Sequence, residues 1–338
     1  MAITISVLDQ SPIYPGETAE EAFRHTVGLA QLSEQLGFHR FWVSEHHDSE
    51  QVAGSSPEVL ISYLLAKTER IRVGSGGVML QHYSPYKVAE NFNVLSSLAP
   101  GRIDLGIGRA PGGLPRSTQA LQLGAVDQAE LTEKIIELEK YVHNRLEEGH
   151  PLAGLKAGPV PAVAPELFLL GASVSSAEIA AELGLPYVFS LFINGNQVIA
   201  EEAIRTYREK FNSASGNQPL AIVALALLAA DSEEEAAELA SALKLYRIVL
   251  MSGKKLTVAT REQAEEFGIQ SSEEYTIEEL GASVVKGTKE SIRTQLLDLQ
   301  KAFDVEEFIV TTNVTPYEKR LHSFQLLSEA LKEAAVSQ

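Results

Sequence analysis

The chain has 338 residues, of which 45% are hydrophobic and 22% are charged, proportions typical of a globular protein with a large core. Its formal net charge of -17 disfavours nucleic acid and anionic membranes as partners, because both need a basic protein surface. The lack of cysteine excludes disulfides, thiolate nucleophiles and cysteine-bound metal clusters.

The first residues lack the marks of a secretory signal. They contain no basic segment and include an acid at Asp9, and no apolar run in the chain is long enough to span a bilayer. We therefore expect a cytoplasmic protein that does not act in a membrane.

Short apolar segments alternate with amphipathic segments along the chain. They predict strands at residues 3–8, 41–43, 71–80, 103–107, 167–170, 187–193, 220–229 and 308–312. The predicted helices are 18–36, 57–67, 85–98, 175–183, 197–211, 233–251, 291–303 and 316–335. Parallel neighbours need a crossover helix, so this alternation predicts a parallel sheet.

Eight such units predict one α/β domain, residues 1–338, folded as a (β/α)8 TIM barrel. Insertions are expected before strands 5 and 8, at residues 150–165 and 252–287. The second insertion is polar and acidic, and we expect it to be an irregular lid. A doubly wound sheet is the alternative fold.

Polar residues follow the predicted strands, at the end where barrel enzymes place their active sites. Asp9 follows the first strand, and Glu45, His46 and His47 follow the second. Because side chains alternate along a strand, Glu45 and His47 share one side and His46 lies on the other, so no metal site is predicted. The alternative is a set of satisfied polar groups at a sheet edge.

Two glycine-rich segments also lie at strand ends. Gly76 and Gly77 predict either a bulge or the close approach of a flat ligand to the backbone. Arg109 is surrounded by Gly106, Gly108, Gly112 and Gly113. This permanent cation suits a phosphate or carboxylate, and the alternative is a salt bridge at the barrel rim.

A serine-rich segment joins the fifth strand to its helix. Ser175 and Glu178 match a capping box, which is sufficient for an ordinary helix start. The free amides of such a start, together with Ser173, Ser176 and Arg109, would also hold a phosphate.

Four segments in this order resemble the bacterial luciferase-like flavin-dependent monooxygenases, and most of all their non-luminescent members. The segments are EHH (45–47), VGSGGVMLQHYSPYKVAENF (73–92), PGRIDLGIGRAPGG (100–113) and LGASVSSAEIAAELGLPYVFS (170–190). The resemblance covers nearly the whole chain.

The resemblance implies FMN in the barrel mouth, with His46 as the catalytic imidazole and Glu45 near the flavin ring or its phosphate. It implies a cis peptide between Gly76 and Gly77 beneath the isoalloxazine. Phosphate ligands are implied at Arg109, Ser173 and Ser176. Ala172 replaces an acidic residue of the phosphate loop and Gly108 a reactive cysteine of luciferases, so light emission is not expected.

Our hypothesis is that reduced FMN reacts with dioxygen to give a C4a-hydroperoxide, which oxygenates a small organic substrate. The reduced flavin would come from a separate flavin reductase or from reduction in place by a nicotinamide. The lid would exclude water, and His46 would donate or accept a proton. The alternatives are a deazaflavin-dependent hydride-transfer enzyme and a non-catalytic flavin-binding protein. The family also suggests a homodimer.

Overall fold

The computed structural model describes residues 2–108, 110–124, 129–214 and 216–332. The strands are β1 Thr4–Asp9, β2 Arg40–Val43, β3 Arg72–Val78, β4 Ile103–Ile107, β5 Glu166–Gly171, β6 Tyr187–Ser190, β7 Ala221–Ala229, β8 Lys244–Leu250, β9 Lys255–Val258, β10 Tyr275–Gly281, β11 Val284–Gly287 and β12 Glu307–Thr311. Strands β1 to β7 and β12 pair in parallel, and pairing of β6 with β7 closes them into a barrel. The predicted TIM barrel is confirmed, and the doubly wound alternative is wrong because the ring is closed.

Helices cover the outside of the barrel. They are α1 Ala19–Leu36, α2 Pro57–Leu65, α3 Pro85–Leu98, α4 Pro115–Leu121, α5 Leu131–Val142, α6 Val174–Leu183, α7 Leu191–Asn194, α8 Gln197–Lys210, α9 Glu233–Ser241, α10 Arg261–Ser271, α11 Lys289–Phe303 and α12 Tyr317–Lys332. No helix in the described part of the chain combines the length and apolar composition needed to cross a bilayer.

Local sequence determines where α1 begins and ends. Thr18 and Glu21 form a reciprocal capping box, with the Thr18 amide donating to the Glu21 carboxylate at 2.8 Å. Gly37 ends the helix with a φ of 83°, which only glycine adopts at low cost. The start and stop predicted for this helix are confirmed.

The lower half of the barrel interior holds a buried ion network. Arg40 donates from Nε and Nη2 to Glu307, at 2.8 and 3.2 Å, and from Nη1 to Asp104 at 3.0 Å. All three side chains are almost completely buried. This network closes the end of the barrel opposite the strand ends where active sites lie.

Asp9 points out of the barrel rather than into the mouth. Its carboxylate accepts a 2.7 Å hydrogen bond from Arg320 of α12, and both side chains are fully buried. Successive side chains of a strand point to opposite faces. Because Leu8 packs inside the barrel, the side chain of Asp9 must face the helices. The expectation that Asp9 lies in the active site is therefore wrong.

The insertion before the last barrel strand is ordered, contrary to the expected irregular lid. The predicted helix 233–251 ends at Ser241, because the segment KLYRIVL that follows is rich in aromatic and β-branched residues and forms β8. Strands β9 and β10 pair with β8 in an antiparallel sheet. Helix α10 packs on this sheet through a small core of Ile248, Leu250, Ala264 and Phe267. The other insertion, residues 150–165, contains neither helix nor strand.

Candidate active site

The barrel interior has an apolar floor beneath its mouth. We define the floor as Leu8, Trp42, Phe168, Val188, Ile222, Ala224 and Ile309, which form one buried cluster. The rings of Trp42 and Phe168 meet edge to face with centroids 5.0 Å apart. The indole Nε1 donates to Asp104 at 2.8 Å, so hydrogen bonding fixes the ring in place.

Above this floor most inward-facing residues are small. Alternation from the floor residues places Gln10, Ser44, Gly76, Gly106, Gly108, Leu170, Ala172, Ser190, Ala226 and Thr311 around the mouth. The larger members are Gln10 and Leu170, and Leu170 packs against the floor. Small side chains at this end of the barrel, where active sites form, leave room for a ligand.

Gly76 lies directly on the floor. A Cβ atom at this position would be 2.7 Å from Leu8 Cδ1 and 3.1 Å from Trp42 Cε3. The peptide between Gly76 and Gly77 is cis, as the resemblance predicted. The register with β4 also shifts between Ser75 and Val78, so the bulge offered as an alternative is present too.

The glycines at the ends of β3 and β4 and in the loop after β4 lie against neighbouring protein. A Cβ at Gly77 would be 2.7 Å from the amide nitrogen of Gly108, and one at Gly108 would be 3.0 Å from Met79 Sδ. A Cβ at Gly112 would be 3.2 Å from the carbonyl of Glu45. Among the described residues these glycines make room for neighbouring protein. Arg109, the cation they surround in sequence, lies outside the described residues.

Glu45 joins the loops that follow β2 and β3. Its carboxylate accepts hydrogen bonds from the Met79 amide at 2.9 Å and from the Tyr83 hydroxyl at 2.7 Å, and it lies 2.7 Å from His47 Nε2. The prediction that Glu45 and His47 share a side is confirmed. Burial and the bond to Glu45 raise the pKa of Tyr83, which therefore keeps its proton and donates. Contact between Glu45 and a cofactor stays a prediction, since both oxygens already have protein partners.

His46 faces away from this cluster. Its Nδ1 lies 3.0 Å from Ser44 Oγ, and its amide donates to the carbonyl of Gly54 at 2.8 Å. A Ser44 hydroxyl that donates to Nδ1 leaves the ring proton on Nε2. His82 has a supporting role, because its ring nitrogens contact the Pro111 carbonyl at 2.7 Å and Gln122 at 3.2 Å and hold the loop after β4.

Burial lowers the pKa of His46 from its ordinary 6.5 to about 4, and the nearby His47 adds to this effect. The unfolded chain therefore binds a proton between pH 6.5 and 4 that the folded chain refuses, so the free energy of unfolding should fall as the pH drops through this range. We expect His46→Gln, which cannot titrate, to show a shallower fall in urea melts. An NMR titration of His46 with a midpoint near 6.5 would contradict this prediction.

The start of α6 is built differently from the predicted cap. Ser173 is the N-cap and Ser176 its reciprocal partner, so the proposed pair of Ser175 and Glu178 is wrong. The reason is that the helix begins at Val174, which places Glu178 in the second turn, where it pairs with Lys210 at 2.7 Å.

This helix start offers donors to an anion. The amides of Val174 and Ser175 precede the first helical hydrogen bond, and Ser175 has an exposed hydroxyl 3.0 Å from Ser173 Oγ. Ser176 is buried and bonds to Tyr187 at 2.9 Å, so its hydroxyl is occupied by protein. Ala172 is held by Asn194, which donates to its carbonyl at 2.7 Å. Phosphate binding by Ser173, Ser176 and Ala172 stays a prediction.

Sequence reasoning overlooked three polar residues beside the mouth. They are Asn313, whose Nδ2 donates to Gln10 Oε1, Gln10 itself, and Thr311. Thr311 is the last residue of β12, two positions before Asn313. No motif marks these residues, and the only available signal was their position after the first and last strands. The exposed Ser175 was also missed as a donor.

Comparison with known proteins identifies the family of the chain. The model of the luciferase-like monooxygenase family matches residues 1–305. Two Bacillus subtilis (strain 168) relatives are an uncharacterised protein, YwcH, and an N-acetyl-S-alkylcysteine monooxygenase. The first is 46% identical and covers 98% of this chain and 100% of its own, and the second is 43% identical and covers 98% and 99%.

Solved structures share the fold along the chain. Apo-MsnO8 matches with a TM-score of 0.80 and 32% identity, covering 98% of each chain. An FMN complex of the oxygenating constituent of 3,6-diketocamphane monooxygenase from Pseudomonas putida has a TM-score of 0.71 at 18% identity, covering 97% of each chain. An F420-dependent secondary alcohol dehydrogenase has a TM-score of 0.68 at 13% identity, covering 98% and 99%.

The chain belongs to the luciferase-like monooxygenase family. It is a flavin-dependent monooxygenase or oxidoreductase, and this class of enzyme acts on a small molecule and dioxygen.

Proposed function

We propose that the cofactor is FMN and that the protein is a monooxygenase using reduced FMN and dioxygen. The observation that supports this most is the set of mostly small residues above the aromatic floor, with Gly76 on the floor and the start of α6 on the rim. A flat ring fits over the glycines, and the free amides of Val174 and Ser175 suit a phosphate. Bound reduced flavin supplies the oxygen-activating chemistry.

The protein itself would position the flavin and the substrate, transfer protons and exclude water. His46 is neutral at physiological pH, and its Nε2–H would donate to a reacting atom. The network around Glu45 would hold the loops beside it. We assign these two residues different tasks because both Glu45 oxygens already bond to protein groups, whereas His46 Nε2 has no hydrogen-bond partner among the described residues.

The insertion contacts loops at the end of the barrel where the mouth lies. Gln263 of α10 donates to Gln51 after β2 at 2.7 Å, and Gln270 accepts from the Arg116 amide after β4 at 2.9 Å. On the other side, Ser283 lies against Gly195 after β6. We propose that this folded segment, which includes most of residues 252–287, is the lid that keeps water from the reaction.

A homodimer and a separate flavin reductase are further proposals. The adjacent helices α2 and α3 expose Val59, Tyr63 and Leu98, at 67%, 54% and 67% of their full areas. Such apolar side chains on neighbouring helices suit a subunit interface. A cytoplasmic location also stays a prediction of the sequence.

The first substrate to test is an N-acetyl-S-alkylcysteine. The relative at 43% identity is named for this substrate, and the two proteins match over almost their full lengths. Deazaflavin-dependent hydride transfer is the alternative activity, since an F420-dependent enzyme shares the fold. Turnover with reduced F420 in the absence of dioxygen would favour it.

Trp42 provides a direct test of FMN binding. It is the only tryptophan of the chain and lies under Gly76. We expect stoichiometric FMN to quench most of its fluorescence, because flavin absorbs where indole emits and would lie next to it. A parallel absorbance titration with reduced FMN under air would record flavin oxidation. Unchanged Trp42 emission with saturating FMN would exclude the proposed cofactor site.

A further inference from the structure

Two buried polar atoms beside the mouth have no hydrogen-bond partner in the described part of the chain. They are Thr311 Oγ1, on a side chain only 5% exposed, and Asn313 Oδ1. A buried polar atom without a partner has lost its hydrogen bonds to water without replacement, so each such atom needs an explanation.

Both side chains face the interior of the barrel. Glu307 and Ile309 of β12 lie inside, whereas Phe308 and Val310 pack against the helices. Alternation then turns Thr311 inward. Asn313 lies two residues further on, and its bond to Gln10 keeps it on the same side.

The strand register places this pair beside the proposed flavin site. The pairing of β12, β1, β2 and β3 aligns Asn313 and Gln10 with Gly76. Strands β12 and β1 lie four positions around the ring from β4 and β5, so they are opposite the rim that holds the start of α6. A flavin with its phosphate on that rim would leave the space beside β12 and β1 free for the substrate.

We propose that Thr311 and Asn313 bind a neutral secondary amide of the substrate. The proposal rests on the proposed function and narrows its substrate class to small N-acylated molecules. The amide N–H would donate to Asn313 Oδ1, and the amide carbonyl would accept from the Thr311 hydroxyl. Both residues are specificity determinants and take no part in the chemical step.

The chemistry of the pair favours an amide over a charged group. A hydroxyl can donate or accept, so the pair offers one donor and one acceptor whichever way the Asn313 carboxamide is turned. A secondary amide needs both. A carboxylate accepts only and an ammonium donates only, and either would bring an uncompensated charge next to a neutral buried pair.

The test compares two ligands that differ in one atom. N-acetyl-S-methylcysteine has the amide, and 2-acetoxy-3-(methylsulfanyl)propanoic acid replaces its N–H by an ester oxygen. We expect calorimetry on the protein loaded with oxidised FMN to show about tenfold tighter binding of the amide. The KM measured with reduced FMN under air should follow the same order.

Thr311→Val keeps the shape of the side chain and removes its hydroxyl. We expect it to weaken binding of the amide about tenfold and to raise KM, with kcat within about twofold. Thr311→Ser should bind like the wild type, because it keeps the hydroxyl. Thr294→Val, the same change at an exposed position of α11, is the control.

The outcomes distinguish the proposed amide site from the proposed FMN-dependent function on which it rests. If FMN binds but the amide and the ester bind equally, or if Thr311→Val binds like Thr311→Ser, the amide site is refuted and the flavin function stands. If FMN does not bind, both proposals fall together.

Discussion

Replacing His46 with alanine is expected to lower turnover about 10²- to 10⁴-fold, the usual contribution of a positioned proton donor or acceptor. FMN affinity should change little, because the His46 imidazole bonds to Ser44. It is not part of the two features proposed to bind FMN, the glycine pair and the start of α6. Turnover is measured as substrate oxidised with reduced FMN under air, and affinity by Trp42 quenching.

The matched control for this variant is His322→Ala. His322 is an exposed histidine of α12 that pairs with Asp231 at 2.9 Å, on the outside of the barrel. It should leave turnover unchanged. Wild-type turnover in His46→Ala would remove this imidazole from the mechanism, and a parallel loss of FMN affinity would assign it to cofactor binding instead.

Replacing Arg40 with leucine is expected to give the largest loss of stability. The change leaves Glu307 buried without its cation and removes one of the two cations that bond to Asp104, the other being Arg72. Breaking a buried ion pair in this way costs about 3–5 kcal/mol. Urea melts followed by far-UV circular dichroism measure the free energy of unfolding.

Arg205→Leu makes the same substitution on the surface of α8. Its guanidinium is 68% exposed and lies 4.0 Å from Glu209, and exposed pairs of this kind contribute between about 0 and 1 kcal/mol. Equal stability losses in the two variants would show that the buried network contributes no more than a surface pair.

The barrel could be predicted because its local signals agree with one another. The limits of α3 and β4 match the predicted residues, since proline begins that helix and a Pro-Gly turn precedes that strand. The segment 244–281 was mispredicted because an alanine- and glutamate-rich helix continues without a glycine or proline into β8. Its strands depend on pairing with residues distant in sequence, which periodicity does not record.

The site residues could be predicted where the residue type itself indicates a chemical role. Glu45, His46 and the glycine pair lie at the strand ends where they were expected. The partner of each hydrogen bond was not visible in the sequence, so the bonds that Glu45 accepts from Met79 and Tyr83 were not predicted. Thr311 was missed for the same reason, because only tertiary packing shows that a threonine lacks a partner.

The core of the insertion is incomplete without the barrel. Leu114, from the loop after β4, packs against the cluster that includes Phe267 and Ile248. A segment as short as residues 244–281 buries too little apolar area to fold alone, since chains below about 40 residues usually need additional support. Chimeras that exchange this segment between homologues must therefore transfer residues 110–117 with it, and recombination at the insertion boundaries alone would leave an apolar gap on both sides.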